Sequence, residues 1–368
     1  MKHKKNYSVS SLANHRFHSL DFLKFILAVI IVFHHYQQAM EVKFEHFNFF
    51  NGRFYFGYAV EFFFIISGFV IAVQTAQKGF GDFRSWMMPK IRRIIPMAVL
   101  SVLACLCYFT LIHFLYNENI PGLWNILTTC TCVFCGGGIQ LSSLGINNPL
   151  WYVSVLFICY TVLYSINHFS KKIEIHNHYL YIGMVLLGLG IRYYGINLPF
   201  MNGDVSRGYV CFFEGILLYE LYNNYANRKL FISSAFVAVV ISLCIIKNWL
   251  IDDIWAILVF LEFPSLLFCF LWTEKFFTSK IFDILGRISF EMYLWHSPFI
   301  LFYHLIKVRL EINNKSTHIE MFCFTCILIL LCIPISLVLE KRIQCLCSTL
   351  MNRNIMSRKI IDSKIIIS

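Results

Sequence analysis

Long apolar runs alternate with short polar segments along most of the chain. Ten runs stand out, at roughly 20–39, 54–77, 94–116, 149–169, 179–194, 207–223, 230–250, 254–273, 281–305 and 320–339. Their length of about 20 residues is what a helix needs to cross a hydrocarbon layer of about 30 Å. The fifth and sixth are the shortest and weakest, and no repeat period stands out. The longest segment between runs, 117–148, has no Lys or Arg and contains Gly136, Gly137 and Gly138. It is either an extracytoplasmic loop or a re-entrant element, because non-helical backbone at membrane depth is tolerated only where it lines a cavity. The pattern predicts an all-α polytopic membrane protein with about ten transmembrane helices.

Composition excludes the soluble alternative. Of 368 residues, 58% are hydrophobic and 14% charged, against roughly 25% charged in a soluble domain. The net charge of +11 bears first on orientation, since Lys and Arg concentrate in cytoplasmic loops. With the N-terminus inside, the inner segments 1–19, 78–93, 170–178, 224–230, 274–280 and 340–368 hold 21 Lys and Arg residues and the outer segments hold five. This predicts an N-in/C-in chain: a basic tail at 1–19, a transmembrane domain at 20–340 and a second basic tail at 341–368. The segment 306–319, with Lys307, Arg309 and Lys315, runs against the bias. No soluble basic face is present for nucleic acid, so membrane lipid is the expected partner of the charge. The first apolar run is too long for a cleavable signal and lacks a small-residue cleavage site, so it is expected to remain as a spanning helix.

Most of the 14 cysteines lie in apolar runs, where cysteine behaves as a small hydrophobe. The one dense cluster, Cys130, Cys132 and Cys135, has no His or second Cys pair beside it to complete a tetrahedral site, and no metal is expected.

Ionisable groups inside a span cost about 2.5–3.5 kcal/mol each and are functional candidates for that reason. The first run carries Asp21, Lys24, His34 and His35. Lys24 and His35 are 11 residues apart, which places them on one helix face about 16 Å apart along the axis. Lys24 is either a snorkelling cation at the cytoplasmic rim or part of a site. His35 is either a hydrogen-bonded core histidine or a proton-transfer group. Glu61 lies in a strongly apolar run and requires a partner or a proton, while Ser67-Gly68 offers a small surface for close helix approach. Lys90, Arg92 and Arg93 stand at a cytoplasmic helix entrance, where they suit anionic headgroups or a phosphate-rich ligand. Trp151 begins the fourth run. In the ninth, Arg287 and Glu291 have the spacing of a helical pair, and His296 lies beyond them.

Four segments, taken in order, resemble the membrane acyltransferase-3 family. Leu20-Asp21-Phe22-Leu23-Lys24 followed by His35 is similar to its first-helix pattern of a basic residue, ten residues and a histidine. Phe63-Phe64-Ile65-Ile66-Ser67-Gly68-Phe69 is similar to its F-F-x-x-S-G-F. Lys90, Arg93 and Pro96 resemble basic-x-x-Arg-x-x-Pro, and the stretch Ser289 to His296 resembles S-x-x-x-Y-L-x-H. The resemblance implies a membrane O-acyltransferase of the bacterial cytoplasmic (inner) membrane. It would move an acyl group, most often acetyl, from cytoplasmic acyl-CoA to a hydroxyl of a cell-surface polysaccharide or its lipid-linked precursor. Acyl-CoA is then a donor substrate rather than a bound cofactor. The acceptor glycan lies on the extracytoplasmic side, and glycan-synthesis machinery is a further partner.

On that basis Lys24, Lys90 and Arg93 would hold the CoA phosphates, and His35 would be the general base. Ser67, Trp151 and His296 would line the cavity. The orientation or charge-balancing of His35 by Glu61 is an inference from their shared burial. The chain departs from the family in carrying Lys at 24 and 90, where Arg is usual and supplies a planar fork. It also lacks a Glu in Ser154-Val155-Leu156, where many members have one. Two other functions fit the same residues: a proton-coupled glycan or lipid transporter or flippase with His35 and Glu61 as its relay, and a non-catalytic assembly partner in glycan synthesis. A transporter has no need of the Lys90–Arg93 phosphate clamp.

Overall fold

A computed structural model of the chain describes residues 16–40, 55–131, 146–247, 254–312 and 317–346, with isolated positions 48, 50, 249 and 349. The described residues are helical, with no strand among them. The elements are α1 His18–Ala39, α2 Ala59–Lys78, α3 Phe83–Tyr116, α4 Leu123–Cys130, α5 Leu150–Ile173, α6 Asn177–Tyr194, α7 Gly203–Tyr225, α8 Arg228–Lys247, α9 Trp255–Ile257, α10 Phe263–Trp272, α11 Lys280–Arg309 and α12 His318–Pro334. A π-helical turn at Leu258–Glu262 joins α9 to α10, and another at Ile335–Leu339 extends α12.

Each of the ten apolar runs falls on one of these helical stretches. Among the described residues, seven helices are long and apolar enough to cross a membrane: α1, α2 with the turn before it, α3, α5, α8, the continuous α9–α10 stretch and α12 with its extension. Of the other three, α6, α7 and α11, helix α7 is less apolar for a visible reason. Helix α7 carries Asp204, Arg207, Glu214 and Glu220, yet Val205 and the continuous run Gly208–Ile216 are buried. It lies among α2, α5 and α6, and a helix surrounded by protein need not be lipophilic. Helix α8 shows the opposite: Ile232, Phe236, Val239, Leu243 and Ile246 point outward, with Phe236 68% exposed. A contiguous apolar face of that kind is at home in lipid.

Helix directions follow from which residues meet. Helices α1 and α11 run parallel, with Asp21 beside Gly286, His35 beside His296 and Tyr36 beside Tyr303. Helices α2 and α7 also run parallel, with Glu61 on Arg207 and Gly68 on Phe212 and Gly215. Helix α6 opposes α7, since Gly188 meets Ser206 and Val210 while Tyr181 meets Phe213. Helix α8 opposes the α9–α10 stretch, with Phe231 on Trp272 and Ser242 on Glu262.

Two glycines set the α2–α7 crossing. A methyl group at Gly68 would lie 1.9 Å from the Phe212 carbonyl oxygen, and one at Gly215 would lie 2.1 Å from that of Ile65. The small surface expected at Ser67-Gly68 is therefore where the backbones touch, and the glycine makes the contact. Helix α3 differs from its expected span. It starts at Phe83, with the Asp82 carboxylate accepting from the Ser85 amide at 2.9 Å, so Lys90, Arg92 and Arg93 lie within a helix rather than at its entrance. Its 34 residues reach about 51 Å at 1.5 Å per residue, well beyond a bilayer core.

Candidate active site

The ionisable and polar groups of the apolar helices fall into three clusters. The first lies where α1 meets α11. The ring centroids of His35 and His296 are 5.0 Å apart with planes at 27°, a stacked pair. His296 is fully buried. Its Nδ1–H donates to the Met292 carbonyl at 3.0 Å, which fixes the tautomer because a carbonyl only accepts. Its Nε2 keeps a lone pair with no partner among the described residues. His35 is half-buried, and its Nδ1–H donates to Gln38 Oε1 at 2.8 Å, which leaves Nε2 as the basic nitrogen.

Neighbouring contacts hold α11 in register. Tyr293 donates through its hydroxyl to the Pro149 carbonyl. Asn147 Nδ2 donates to the Leu294 carbonyl at 3.0 Å and to Ser101 Oγ at 2.8 Å. Gln38 escaped the sequence reading, although His-x-x-Gln is an i,i+3 pair on one helix face. Asn147 had no local signal, because its partners are 46 and 147 positions away.

The second cluster surrounds Glu61, which is 1% exposed. Arg207 donates from Nε to Oε1 at 2.7 Å and from a terminal nitrogen to Oε2 at 2.8 Å. The indole N–H of Trp255 donates to Oε1 at 3.0 Å. The Arg207 guanidinium also lies 4.5 Å from the centre of the Trp151 ring. The expected orientation of His35 by Glu61 is therefore not formed. Glu61 is occupied by Arg207 and Trp255, and Gln38 takes the orienting position at His35. Trp151 belongs with the ion pair, and it reaches α2 through Phe64. Ser67 shares a 2.9 Å hydrogen bond with the hydroxyl of Tyr152, whose ring also neighbours Tyr293 at 5.4 Å. Ser67 thus stands between the two clusters, on the half-buried face of α2 with Phe63 and Val70.

The third cluster is at the opposite end of α1. Lys24 Nζ lies 3.6 Å from Asp21, whose carboxylate also takes Arg16. Glu274 accepts from the His18 and Ser19 amides at 2.9 Å each and so satisfies two free N–H groups of the first turn. Arg93 is exposed and within electrostatic reach of Lys24, Tyr160 and Glu291. Lys90 turns away. Its ammonium donates to the Trp86 carbonyl at 2.7 Å and lies 3.7 Å over the Trp86 ring, with Tyr160 at 5.4 Å. Arg93 and Lys24 therefore lie within electrostatic reach of each other, while Lys90 is folded against Trp86. The expected Arg287–Glu291 pair is replaced by a bond from the Trp295 indole to Glu291 at 3.1 Å.

Cys132 and Cys135, and the segment 132–145 within the long loop, lie outside the described residues. So do 1–15 and nearly all of the C-terminal tail.

This arrangement provides a basic nitrogen within a helical bundle, a second imidazole stacked on it, and cations about 16 Å away by helix rise. A family model described as an acyltransferase domain, the acyltransferase-3 model, matches residues 17–340. No curated protein matches the chain, and no solved structure does.

Proposed function

This chain belongs to the acyltransferase-3 family, and from that premise we propose that it is a membrane O-acyltransferase with His35 as its general base. The donor is cytoplasmic acyl-CoA, with acetyl as the acyl group. The acceptor is a hydroxyl of a cell-surface polysaccharide or its lipid-linked precursor, and the site is the bacterial inner membrane. The observation that carries this reading is the half-buried His35, tautomerically fixed by Gln38 and stacked on the buried His296.

In the reaction, His35 Nε2 takes the proton of the acceptor hydroxyl as its oxygen attacks the thioester carbonyl carbon. The new C–O bond forms, the C–S bond breaks, and coenzyme A leaves as a thiolate that recovers the proton. Gln38 holds the ring so that Nε2 faces the acceptor. A positioned base of this kind contributes about 10²–10⁴-fold to rate. The partnerless Nε2 of His296 is a second acceptor site beside the reacting centre, suited to the hydroxyl or to a bridging water. Arg93 and Lys24 receive the CoA phosphates by charge-assisted contacts.

Ten passes with both termini inside complete the proposal. The parallel pairs α1–α11 and α2–α7 and the antiparallel pairs α6–α7 and α8–α10 support it, because strict alternation through ten passes requires each of those directions. The excess of Lys and Arg in the inner segments gives the orientation.

The test uses purified protein in nanodiscs with labelled acetyl-CoA and a chemically deacylated surface polysaccharide. His35→Ala is expected to lower acyl transfer by about 10²–10⁴-fold, with insertion and accumulation unchanged. Transfer retained at the wild-type rate would remove His35 from the chemistry.

A further inference from the structure

At the other end of the α2–α7 ion pair lies a cleft of about 1010 Å³, bounded by the end of α6, the loop that follows it and the start of α7. We propose that this cleft is a saccharide-binding site that holds the acceptor chain on the extracytoplasmic side; the proposal rests on the acyltransferase reading above for the identity of that acceptor. At the upper end of the range for small-molecule sites, about 300–1,000 Å³, it has room for several sugar units rather than one.

The chemistry of the lining matches a hydroxyl-rich ligand. Arg192 holds its guanidinium 4.1 Å from the centre of the Trp255 ring. That indole is 3% exposed and anchored through its N–H to Glu61, so Arg192 rests on a rigid platform, and no carboxylate pairs with it among the described residues. A guanidinium offers hydrogen-bond donors in a planar fork, and the Asp204 carboxylate, within electrostatic reach of Arg207, also lines the cleft. Asn197 adds an amide. Tyr193 and Tyr194, 82% and 76% exposed, supply aromatic faces for the apolar side of a pyranose. Aromatic residues at a helix end also serve as membrane-interface anchors, but that role does not account for the stacked guanidinium. The loop is held by a reciprocal backbone pair, Leu198 N–H to the Met201 carbonyl at 3.0 Å and Met201 N–H to the Leu198 carbonyl at 2.9 Å.

The cleft also connects to the chemistry. Trp255 is bound to Glu61, Glu61 to Arg207, and Arg207 is stacked on Trp151. Trp151 touches Phe64, which packs on Tyr152, and Tyr152 meets Tyr293 beside His296. A continuous chain of packed side chains therefore links the cleft to the histidine pair.

The experiment separates binding from catalysis. Wild-type protein in nanodiscs is titrated with deacylated surface polysaccharide, and binding is followed by tryptophan fluorescence. Acetyl-CoA affinity is measured separately by calorimetry, and acyl transfer is assayed on the same samples. Saturable polysaccharide binding is expected in wild type, weakened at least tenfold in Arg192→Ala and in Asp204→Asn, with acetyl-CoA affinity within twofold. Arg192→Lys, which keeps the charge and loses the fork, serves if Arg192→Ala lowers Tm.

If both variants bind and acylate the polysaccharide as wild type does, the cleft is not the acceptor site, although the enzyme reading stands. If wild type binds polysaccharide through Arg192 and transfers nothing, the cleft stands and the enzyme reading falls. Absence of polysaccharide binding in wild type overturns the cleft. So does a loss in Arg192→Ala confined to binding of vesicles of anionic phospholipid, which would make it a lipid site.

Discussion

Glu61 and His35 present the same puzzle in the sequence, an ionisable side chain in a strongly apolar helix, and the structure resolves them in opposite ways. Glu61 has both oxygens engaged, by two Arg207 nitrogens and by the Trp255 indole. Its charge is matched and its lone pairs are largely used. His35 has one nitrogen engaged and one basic nitrogen left over, and the histidine stacked on it keeps another partnerless nitrogen. Insertion cost alone does not distinguish a structural charge from a reactive one. The partners around each group say more, because a carboxylate with both oxygens engaged has less to offer a substrate than an imidazole with one nitrogen left over.

The largest expected effect that sharpens this contrast is on folding. Glu61→Ala leaves the half-buried Arg207 without its paired carboxylate, with Asp204 as the remaining carboxylate in electrostatic reach, and is expected to cost up to about 3 kcal/mol of stability, seen as lost accumulation and a lower Tm in detergent. The paired replacement Glu61→Leu with Arg207→Met removes both charges and should recover accumulation and acyl transfer together. Recovery of accumulation without transfer would break the contrast and place Glu61 in the chemistry.

Next in size is the effect at Arg93, beside Lys24. Arg93→Ala is expected to weaken acetyl-CoA binding by about 10–100-fold, the equivalent of losing a hydrogen bond to a charged group at about 1.5–3 kcal/mol, with Tm unchanged. Calorimetry on the purified protein checks this, and unchanged affinity would move the donor site elsewhere. The smallest effect is at the orienting residue. Gln38→Ala removes one hydrogen bond worth about 1 kcal/mol and should lower kcat about fivefold. The pH profile of kcat should shift as well, since His35 loses its fixed tautomer. A fall in Tm with an unchanged profile would make Gln38 structural only.

Much of the fold was legible because it depends on properties each residue carries alone. A run of about 20 apolar residues is a membrane-length helix wherever it sits, so the ten runs and ten helical stretches coincide. The weak sixth run, α7, is less apolar because protein surrounds it while α8 presents an apolar face outward, and a running average along one chain does not register a neighbour. Helix α3 extends back to Phe83, beyond the apolar run that begins at 94, because Lys90, Arg92 and Arg93 interrupt the hydropathy while Asp82 caps the helix before them.

The site was legible only in part, for the same reason. Lys24 and His35 share a face of a single helix, so their relation follows from the sequence and the 3.6-residue turn. The relation of Glu61 to anything beyond α2 does not. It depends on Gly68 and Gly215, 147 positions apart in number, meeting back to back and so bringing Arg207 rather than His35 to the carboxylate. His296 reaches His35 because α1 and α11 run parallel. The sequence by itself determined a helical membrane protein and its candidate reactive groups, because hydropathy, charge and helical period are local. Only the tertiary structure decided which buried groups neutralise each other and which keep a free lone pair, because that depends on helix crossings between residues far apart in the chain.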